Sequence, residues 1–579
     1  MGMKRIIVIA FCWFCLEGYA QQIKPLTWEY MEIGGEMRTR ALRNFDRLET
    51  DIYTPEKVFP EKHQTISADW PGDYEGRIIL ALTLQARATH RTPKYLEELI
   101  SLIPQKVNAK GYLGPIMQDS IPEQQLSGHG WLLRALCEYY NWKKDPAVKT
   151  YISNIINNLA LPTKGYHKIY PINPDERNKE TGAAIGTTQS AIGRWKLSSD
   201  IGCDFIFMDG VIQAYEVVPS PALKELIDEM VARFLEVDLV GISAQTHATL
   251  TGIRALLRYY AITGDKTLLE QAASRYLLYR NQAMTENYEN YNWFGRPEWT
   301  EPCAIVDAYM IANQLWMYTQ TPSYLEDAHH IYFNALSHTQ RSNGGFGLDN
   351  CTNSDVHLLS VKADEAYWCC TMRGGEGLAK AIQYNYFTAN NTLYIPFFSN
   401  NTVTFTIGDH HAVIQQTTGY PFDGNITFDV KESDMNAATN FAVFIPSWAK
   451  NVKLLINGKK AKHTTQHQFA VIHTTLTKGM SIQYQFDMEA EAIPLVKKYA
   501  GGHTADTYRF IYGPLLLGRA GATEISLQNK PRFSRTGEQQ WVSKDKSLTL
   551  TPIYHLMSPE VAEKTGYSKQ VIFNIDSKK

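Results

Sequence analysis

The feature that most constrains this chain is a recurring pair of amphipathic helices between residues 75 and 386. Each copy has an apolar helix that ends in aromatic residues, a short turn and a second helix, with turns around Pro93, Pro146, Pro221, Asp265 and Pro322. Proline just after a turn suits the first position of a helix, and the apolar residues recur at three- and four-residue spacing. The pattern therefore predicts stacked helical hairpins.

The spacing of these turns bears on how the hairpins are arranged. The turns lie 53, 75, 44 and 57 residues apart, which is too irregular for a uniform solenoid but suits a closed ring with insertions. The segments 28–48 and 375–386 would complete six hairpins. We therefore expect an (α/α)6 barrel, with an open helical array as the alternative.

After Phe387 the pattern changes to short alternating strands. Examples are TVTFTI, NITFDV and SIQYQF, separated by turns that contain Asn and Gly. Such segments are typical of antiparallel β-sandwiches. The predicted organisation, mainly α with β, is a barrel over 21–386, a β-sandwich over 387–500 and a C-terminal β segment over 501–579.

The first twenty residues read as an export signal. Lys4 and Arg5 precede an apolar run of eleven residues, and Gly18 and Ala20 are small residues placed for cleavage. Eleven apolar residues are too few to span a bilayer. We expect residues 1–20 to be a cleaved signal peptide, and the product to be periplasmic or secreted with no membrane span.

The charge balance bears on the partner. The chain has 57 basic and 59 acidic residues, a net charge of −2, so it offers no basic excess for a phosphate backbone. Nucleic acid is therefore excluded as an expected partner. The aromatic content of 12% favours surfaces that stack on sugar rings.

The most specific chemical feature is a Glu-x-Cys motif followed by a Cys-Cys pair. The motif consists of Glu301 and Cys303, and Cys369, the first cysteine of the pair with Cys370, lies 66 residues after Cys303. Three thiols and one carboxylate form a tetrahedral ligand set for Zn²⁺. The alternative is buried thiols or a disulfide between the adjacent cysteines.

Four motifs occur together in one order: SGHGWLLRAL, HATLTGIRALLRYYAITGD, EPCA and YWCC before a Gly-rich helix start. This order, with the late RFIYGPLLLG, resembles the β-L-arabinofuranosidase family of glycoside hydrolases, family 127. The resemblance implies an (α/α)6 barrel with β-sandwich domains and a retaining exo-hydrolysis. It also implies that Glu301, Cys303, Cys369 and Cys370 bind the zinc and that Cys369 is the nucleophile.

The resemblance also implies an acid/base glutamate upstream of the Glu-x-Cys motif. Glu286 fits best by spacing, and Glu289 is the alternative. His129 and His247 match family positions in the substrate pocket. Phe205 occupies the place of a further family histidine, so we expect one apolar pocket wall.

We expect the substrate to be an oligosaccharide from plant cell-wall polysaccharide with a terminal L-sugar, either β-L-arabinofuranose-like or a deoxy or carboxylated pentose of pectin. Phe205 favours the second kind of sugar, with Arg296, Lys362 and Arg373 as candidate carboxylate ligands. Two other functions stay open. One is a non-catalytic glycan-binding toroid with a structural zinc site, and the other is a zinc-independent uronyl hydrolase or lyase.

Overall fold

The computed structural model describes residues 22–60, 69–177, 188–495, 506–557 and 568–575. The expected signal peptide, residues 1–20, lies outside these ranges. Among the described residues, no helix combines the length and the apolar character that a membrane crossing needs.

The region before residue 387 is mainly helical, and its helices come in pairs around the predicted turns. The α-helices are α1 Gly35–Arg47, α2 Pro55–Val58, α3 Asp73–Thr89, α4 Leu96–Lys106, α5 Glu123–Lys143, α6 Pro146–Ile155, α7 Cys203–Tyr215, α8 Pro221–Leu235, α9 Thr246–Thr263, α10 Lys266–Gln282, α11 Pro302–Thr319, α12 Pro322–Ile331, α13 Ser337–Thr339 and α14 Cys370–Gln383. Pro146, Pro221 and Pro322 each begin a helix, and Asp265 caps α10 by accepting from the amide of Thr267. Pro93 differs, since it lies in the turn before α4.

Six helices form a closed inner ring. In sequence order α3, α5, α7, α9, α11 and α14 each pack on the next, and α14 packs back on α3. Their residues are buried nearly all round, as expected for helices covered on both sides. The outer helix α1 packs on α14 and completes the sixth hairpin. This closure confirms the (α/α)6 barrel and rules out the open array.

Two inner helices approach each other through glycines. A Cβ atom on Gly210 of α7 would lie 2.4 Å from the carbonyl oxygen of Gly130 in α5, and one on Gly130 would lie 2.6 Å from that of Ile206. Both distances are far below a van der Waals contact. Glycine at these positions therefore sets the close spacing of α5 and α7.

Two packed sheets follow the barrel. The first contains, in spatial order, β1 Lys24–Pro25, β9 Phe387–Ala389, β10 Thr392–Ile395, β14 Thr439–Phe444, β18 Phe469–Thr474 and β17 Thr464–Gln466. The second contains β16 Lys459–Lys460, β15 Lys450–Ile456, β19 Ser481–Asp487, β13 Gly424–Ser433, β12 His410–Thr418, β11 Asn401–Ile407 and β2 Met31–Ile33. Phe428 of β13 and Phe441 of β14 meet between the sheets, with ring centroids 5.1 Å apart.

This sandwich differs from the expectation in two respects. Strands β1 and β2 come from the N-terminal segment that we assigned to the barrel, and they pair with β9 and β11. Strand β10 pairs with β14 in parallel, while the other described pairings of these two sheets are antiparallel. The N-terminal segment thus ties the barrel to the sandwich.

A third sheet follows and begins before residue 501. Its strands are β20 Ala490–Pro494, β21 Thr507–Tyr512, β22 Leu515–Ala520, β25 Thr549–Pro552, β24 Gln540–Ser543 and β23 Phe533–Gly537, with β26 Lys569–Gln570, β27 Phe573–Asn574 and β7 Leu358–Leu359 joined at its side. Short insertions in the barrel form two more sheets, β3 Ile121–Pro122 with β5 Trp195–Ser198 and β4 Thr188–Ile192, and β6 Leu348–Asp349 with β8 Val361–Ala363. Because β7 belongs to a barrel insertion, the third sheet packs against the barrel at that insertion.

Candidate active site

A cavity of about 370 Å³ opens at one end of the barrel. Residues from the first turns of inner helices line it, among them Asp73 of α3, Cys203 of α7, His247 of α9 and Cys370 of α14. The inner helices therefore point their N-termini at this space. The positive ends of their dipoles favour negative charge there, such as a thiolate.

The predicted ligand set converges at this cavity. One ligand atom each from Glu301, Cys303, Cys369 and Cys370 lies within 4.8 Å of all the others. Glu301 immediately precedes α11 and Cys369 immediately precedes α14, so two neighbouring helix starts bring the four side chains together. The described cysteines are free thiols, and the alternative of a disulfide between Cys369 and Cys370 is wrong.

The sulfur positions fit a zinc ion. The Sγ atoms of Cys303 and Cys370 are 3.6 Å apart, and those of Cys369 and Cys370 are 3.3 Å apart. Tetrahedral coordination with Zn–S bonds of about 2.3 Å places neighbouring sulfurs about 3.8 Å apart. The donor set and its spacing therefore suit Zn²⁺, with small adjustments on binding.

Cys369 is chemically distinct among the three thiols. Cys303 and Cys370 are buried, whereas Cys369 is half-buried and lines the cavity. Hydrogen bonds from the thiols of Cys303 and Cys370, helped by the charge of Arg77, lower the pKa of Cys369 to about 6. Burial instead raises the pKa of Cys303 to about 11. The thiolate form is thus favoured at Cys369, the more exposed of the two cysteines of the set that line the cavity.

Arg77 supplies positive charge beside the thiols. Its Nη1 lies 3.6 Å from Sγ of Cys303, and Asp73 holds the guanidinium through contacts of 2.7 and 3.1 Å. The Arg77 side chain also lies over the ring of Trp131, 4.2 Å from its centroid. These contacts fix Arg77 where it stabilises negative charge on sulfur.

His247 lies in the cavity wall as the resemblance implied. Its ring stacks on Trp131, and Nδ1 lies 2.9 Å from Oδ2 of Asp307. Its Nε2 has no hydrogen-bond partner within the described residues. Of the two predicted histidines, His247 is the one that lines the described cavity.

His129 is placed differently. Its Nδ1 donates to the carbonyl oxygen of Gln125 at 2.8 Å, and its Nε2 accepts from the amide of Leu113 at 3.0 Å. Burial lowers its pKa to about 4. Both ring nitrogens thus serve the backbone, and the cavity is lined at this helix by Ser127 instead. The expected pocket role of His129 is corrected to a structural one.

Phe205 also lies outside the cavity. Its ring packs against Phe234 of α8, with centroids 4.7 Å apart, whereas Cys203 and Ile206 line the cavity. Residues 203 and 206 are three apart and share a helix face, while residue 205 points away from it. The expected apolar wall at Phe205 is therefore wrong, because the ring faces the outer helices.

Neither predicted acid/base residue lines the cavity. Oε2 of Glu286 lies 3.0 Å from Nη1 of Arg509, which also donates to the Glu286 carbonyl oxygen at 2.7 Å. Glu289 is fully buried near His338 and Asp349. The loop that carries both glutamates reaches the cavity only later, at Asn292 and Trp299. Glu286 instead joins the barrel to the third sheet.

The cavity contains residues that sequence reasoning missed. Three tryptophans and two further aspartates line it: Trp70, Trp299, Trp368, Asp69 and Asp200. Trp368 is 40% exposed. Its position directly before Cys369 could have identified it, whereas nothing in the local sequence distinguishes Asp200.

The three basic residues that we expected to bind a carboxylate group of the sugar do not line the cavity. Arg373 is buried and lies 2.6 Å from Oδ1 of Asp307, and Arg296 pairs with Glu298. Lys362 lies in β8 and is not among the cavity-lining residues. Arg77 is the basic residue that lines the described cavity, against four carboxylates.

Comparison with known proteins agrees with this architecture. Residues 392–488 match the family model described as the GH127 middle domain of β-L-arabinofuranosidase. No curated protein matches the chain. The fold is similar to that of the GH127 β-arabinofuranosidase BT3674, with a TM-score of 0.69 and 13% identity over 96% of this chain and 98% of that one.

A second similar structure is Ara127N, a GH127 β-L-arabinofuranosidase from Geobacillus stearothermophilus T6. Its TM-score is 0.67, with 13% identity over 94% of this chain and all of that one. Residues 392–488 are therefore similar to the GH127 middle domain, and the chain as a whole has the fold of solved GH127 β-L-arabinofuranosidases.

Proposed function

We propose that this protein is a retaining exo-glycoside hydrolase that removes terminal β-L-arabinofuranose from plant cell-wall oligosaccharides. The observation that carries the proposal is the convergence of Glu301 and three thiols at the cavity, with Cys369 exposed to it. The GH127 middle domain and the overall fold support the same activity. A structural zinc site in a glycan-binding protein would need no thiol facing the ligand.

The covalent chemistry belongs to Cys369. Its thiolate attacks the anomeric carbon, a C–S bond forms, and the glycosidic C–O bond breaks with its electron pair on the leaving oxygen. A water molecule then displaces the sulfur and gives a product of retained configuration. Glu301, Cys303, Cys369 and Cys370 would hold a zinc ion, whose charge would keep the thiols deprotonated.

A carboxyl group must protonate the leaving oxygen and later deprotonate the water. Four carboxylates line the cavity, but Asp73 is held by Arg77 and Glu301 is a ligand. Of the other two, Asp200 lies close enough to Glu301 for its charge to contribute to the raised pKa of Glu301, after the larger effect of burial. We assign the acid/base role to Asp200.

The cavity favours a neutral sugar. A carboxylated pentose would add a negative charge to a cavity that four acidic side chains already line, with only the paired Arg77 to offset it. The pocket wall expected from Phe205 is absent, which removes the argument against simple arabinofuranosides. The tryptophans offer apolar faces that suit the C–H faces of a furanose ring.

The test is a substrate panel with purified protein of known zinc content. We expect release of arabinose from methyl β-L-arabinofuranoside, and kcat/KM at least tenfold lower for a matched furanoside that bears a carboxylate. Binding of the neutral glycoside without turnover, or preference for the carboxylated one, would contradict the proposal. We propose an exported location on the sequence alone, supported by Lys4, Arg5 and the apolar run that follows.

A further inference from the structure

A second cluster of potential metal ligands lies behind the cavity wall. It consists of Glu289 in the loop after α10, His338 in α13 and Asp349 in β6. One ligand atom from each lies within 4.8 Å of the other two, and all three side chains are buried. Neither the catalytic scheme nor the family comparison assigns a role to this group.

The hydrogen bond of His338 determines which ring nitrogen is protonated. Nδ1 lies 3.1 Å from the carbonyl oxygen of Ile553. A carbonyl oxygen only accepts, so Nδ1 carries the hydrogen. In the neutral ring Nε2 then presents a lone pair, and it lies 3.3 Å from Oδ2 of Asp349. Two acceptors at this distance repel each other unless a positive group lies between them.

Glu289 adds a third acceptor to the same space. Its side chain is fully buried, and no hydrogen bond of good geometry reaches either of its carboxylate oxygens or Oδ2 of Asp349. Arg341 offsets one negative charge, but it binds the other oxygen of Asp349, Oδ1, at 2.7 Å. The Thr300 hydroxyl lies within reach of Glu289, but burial and the charge of Asp349 still raise the pKa of Glu289. Burying two charged carboxylates this close together costs several kcal/mol.

A proton alone does not balance this cluster. A proton on Nε2 of His338 would satisfy Asp349 and leave Glu289 unpaired, so a second proton would be needed on Glu289. One divalent cation satisfies all three acceptors together. A backbone carbonyl on the other nitrogen is also the usual support for a metal-binding histidine.

We propose that Glu289, His338 and Asp349 bind a second divalent cation, separate from the thiolate site. Two carboxylates and an imidazole suit a first-row transition ion such as Mn²⁺, Fe²⁺, Co²⁺ or Zn²⁺. Sulfur is not part of the set. The two sites therefore differ in ligand chemistry and can be distinguished by spectroscopy.

The cation stabilises the wall of the cavity. Asp349 and Thr300 are joined by two hydrogen bonds of 2.9 Å, one between backbone atoms and one to the Thr300 hydroxyl. Thr300 lies directly before Glu301, and Leu348, directly before Asp349, lines the cavity. Binding at the second site thus fixes the loop that presents Glu301 to the thiols.

The first experiment measures the metal bound by the full chain. After removal of metal, the protein is titrated with Co²⁺. Co²⁺ at thiolates gives a strong charge-transfer band, whereas Co²⁺ at carboxylates and imidazole does not. We expect two equivalents to bind, only one of which adds to the charge-transfer band. Saturation at one equivalent would overturn the proposal.

Variants locate the second equivalent. Glu289→Gln and His338→Gln should each remove the equivalent without the charge-transfer band and keep the other. Cys303→Ser should remove the equivalent with the charge-transfer band and keep the other. Because the readout is bound Co²⁺, the result does not depend on the proposed glycosidase activity. Glu298→Gln, in the same loop but at an exposed pair with Arg296, is the matched control and should bind both.

Two further outcomes complete the test. If the second equivalent persists in both Glu289→Gln and His338→Gln, the ion binds elsewhere and the proposal is wrong. If those variants do not fold, Cys303→Ser decides the question. It should still bind one equivalent of Co²⁺ without a charge-transfer band and show a higher Tm with Mn²⁺ than without, and failure of both effects would overturn the proposal.

Discussion

Nδ1 of His247 lies 2.9 Å from Oδ2 of Asp307, beneath the cavity floor. Burial opposes ionisation of Asp307, but the charges of Arg373 and Arg254 outweigh it and hold the pKa of Asp307 well below its usual range. Asp307 is therefore a permanent acceptor for the Nδ1 hydrogen. It fixes the ring so that Nε2, which has no described hydrogen-bond partner, is the acceptor nitrogen, and we expect it to accept from a sugar hydroxyl.

Replacing His247 with Phe tests this arrangement. The new ring keeps the stacking on Trp131 but cannot accept a hydrogen bond. We expect kcat/KM to fall by about tenfold to a hundredfold, the loss of one buried hydrogen bond worth roughly 1–3 kcal/mol. Zinc content and Tm should stay close to those of the wild type. Unchanged kcat/KM would show that His247 does not contact the substrate.

Replacing Cys303 with Ser tests the metal centre. A serine hydroxyl is a poor zinc ligand at neutral pH, so we expect loss of zinc and of turnover together. Elemental analysis and glycosidase assays on the same sample measure both. Cys137→Ser, at a buried thiol that is not part of the set, is the control and should keep both. Full zinc occupancy in Cys303→Ser would refute the ligand assignment.

Variants of Asp200 and Glu286 test which of the two residues is the acid/base. Asp200→Asn should lower turnover of poor leaving groups by about a hundredfold to ten-thousandfold, with little effect on activated aryl glycosides in the first step. Glu286→Gln should keep turnover, because its carboxylate contacts Arg509 rather than the cavity. If Glu286→Gln shows the leaving-group dependence and Asp200→Asn does not, the assignment is wrong.

His329 predicts a pH dependence of stability. Its ring lies between α12 and the sandwich, with Nδ1 2.8 Å from the Tyr420 hydroxyl and Nε2 2.9 Å from the Pro396 carbonyl. Burial lowers its pKa to about 4, against about 6.5 in the unfolded chain. Below pH 6.5 the unfolded chain therefore binds a proton that the folded protein does not, and stability falls until pH 4.

The expected loss at His329 is about 3 kcal/mol across that interval. Thermal unfolding at pH 7.0 and pH 5.0 measures the part of this loss that falls between those two pH values, about 2 kcal/mol. His329→Gln is the comparison because glutamine does not titrate. The decrease in Tm between pH 7.0 and pH 5.0 should be larger for the wild type than for His329→Gln. Equal losses would mean that His329 is protonated in the folded protein.

Local patterns predicted the helices well because helix pairing depends on periodicity and turn residues close in sequence. The ligand set was predictable for a similar reason, since the Glu-x-Cys and Cys-Cys motifs each stand at a helix start. The path of a loop is different. Glu286 is held by Arg509, 223 residues away, and no local signal reveals such a partner.

The direction in which a side chain points around its helix is equally hard to predict from local sequence. Phe205 is two positions from Cys203, and that offset turns its side chain toward Phe234. His129 is fixed by the backbone of Leu113, which belongs to the loop before α5. Both residues lie in helices of the inner ring, but only the packed structure shows which face of each helix meets the cavity.

Attack of Cys369 on the anomeric carbon is tested most directly by the configuration of the first product. Hydrolysis of methyl β-L-arabinofuranoside is followed by proton NMR at times shorter than the mutarotation of arabinose. We predict that β-L-arabinofuranose forms first, because two displacements at one carbon retain its configuration. First formation of the α-anomer would contradict the covalent role of Cys369, and so would the absence of any hydrolysis by zinc-loaded protein.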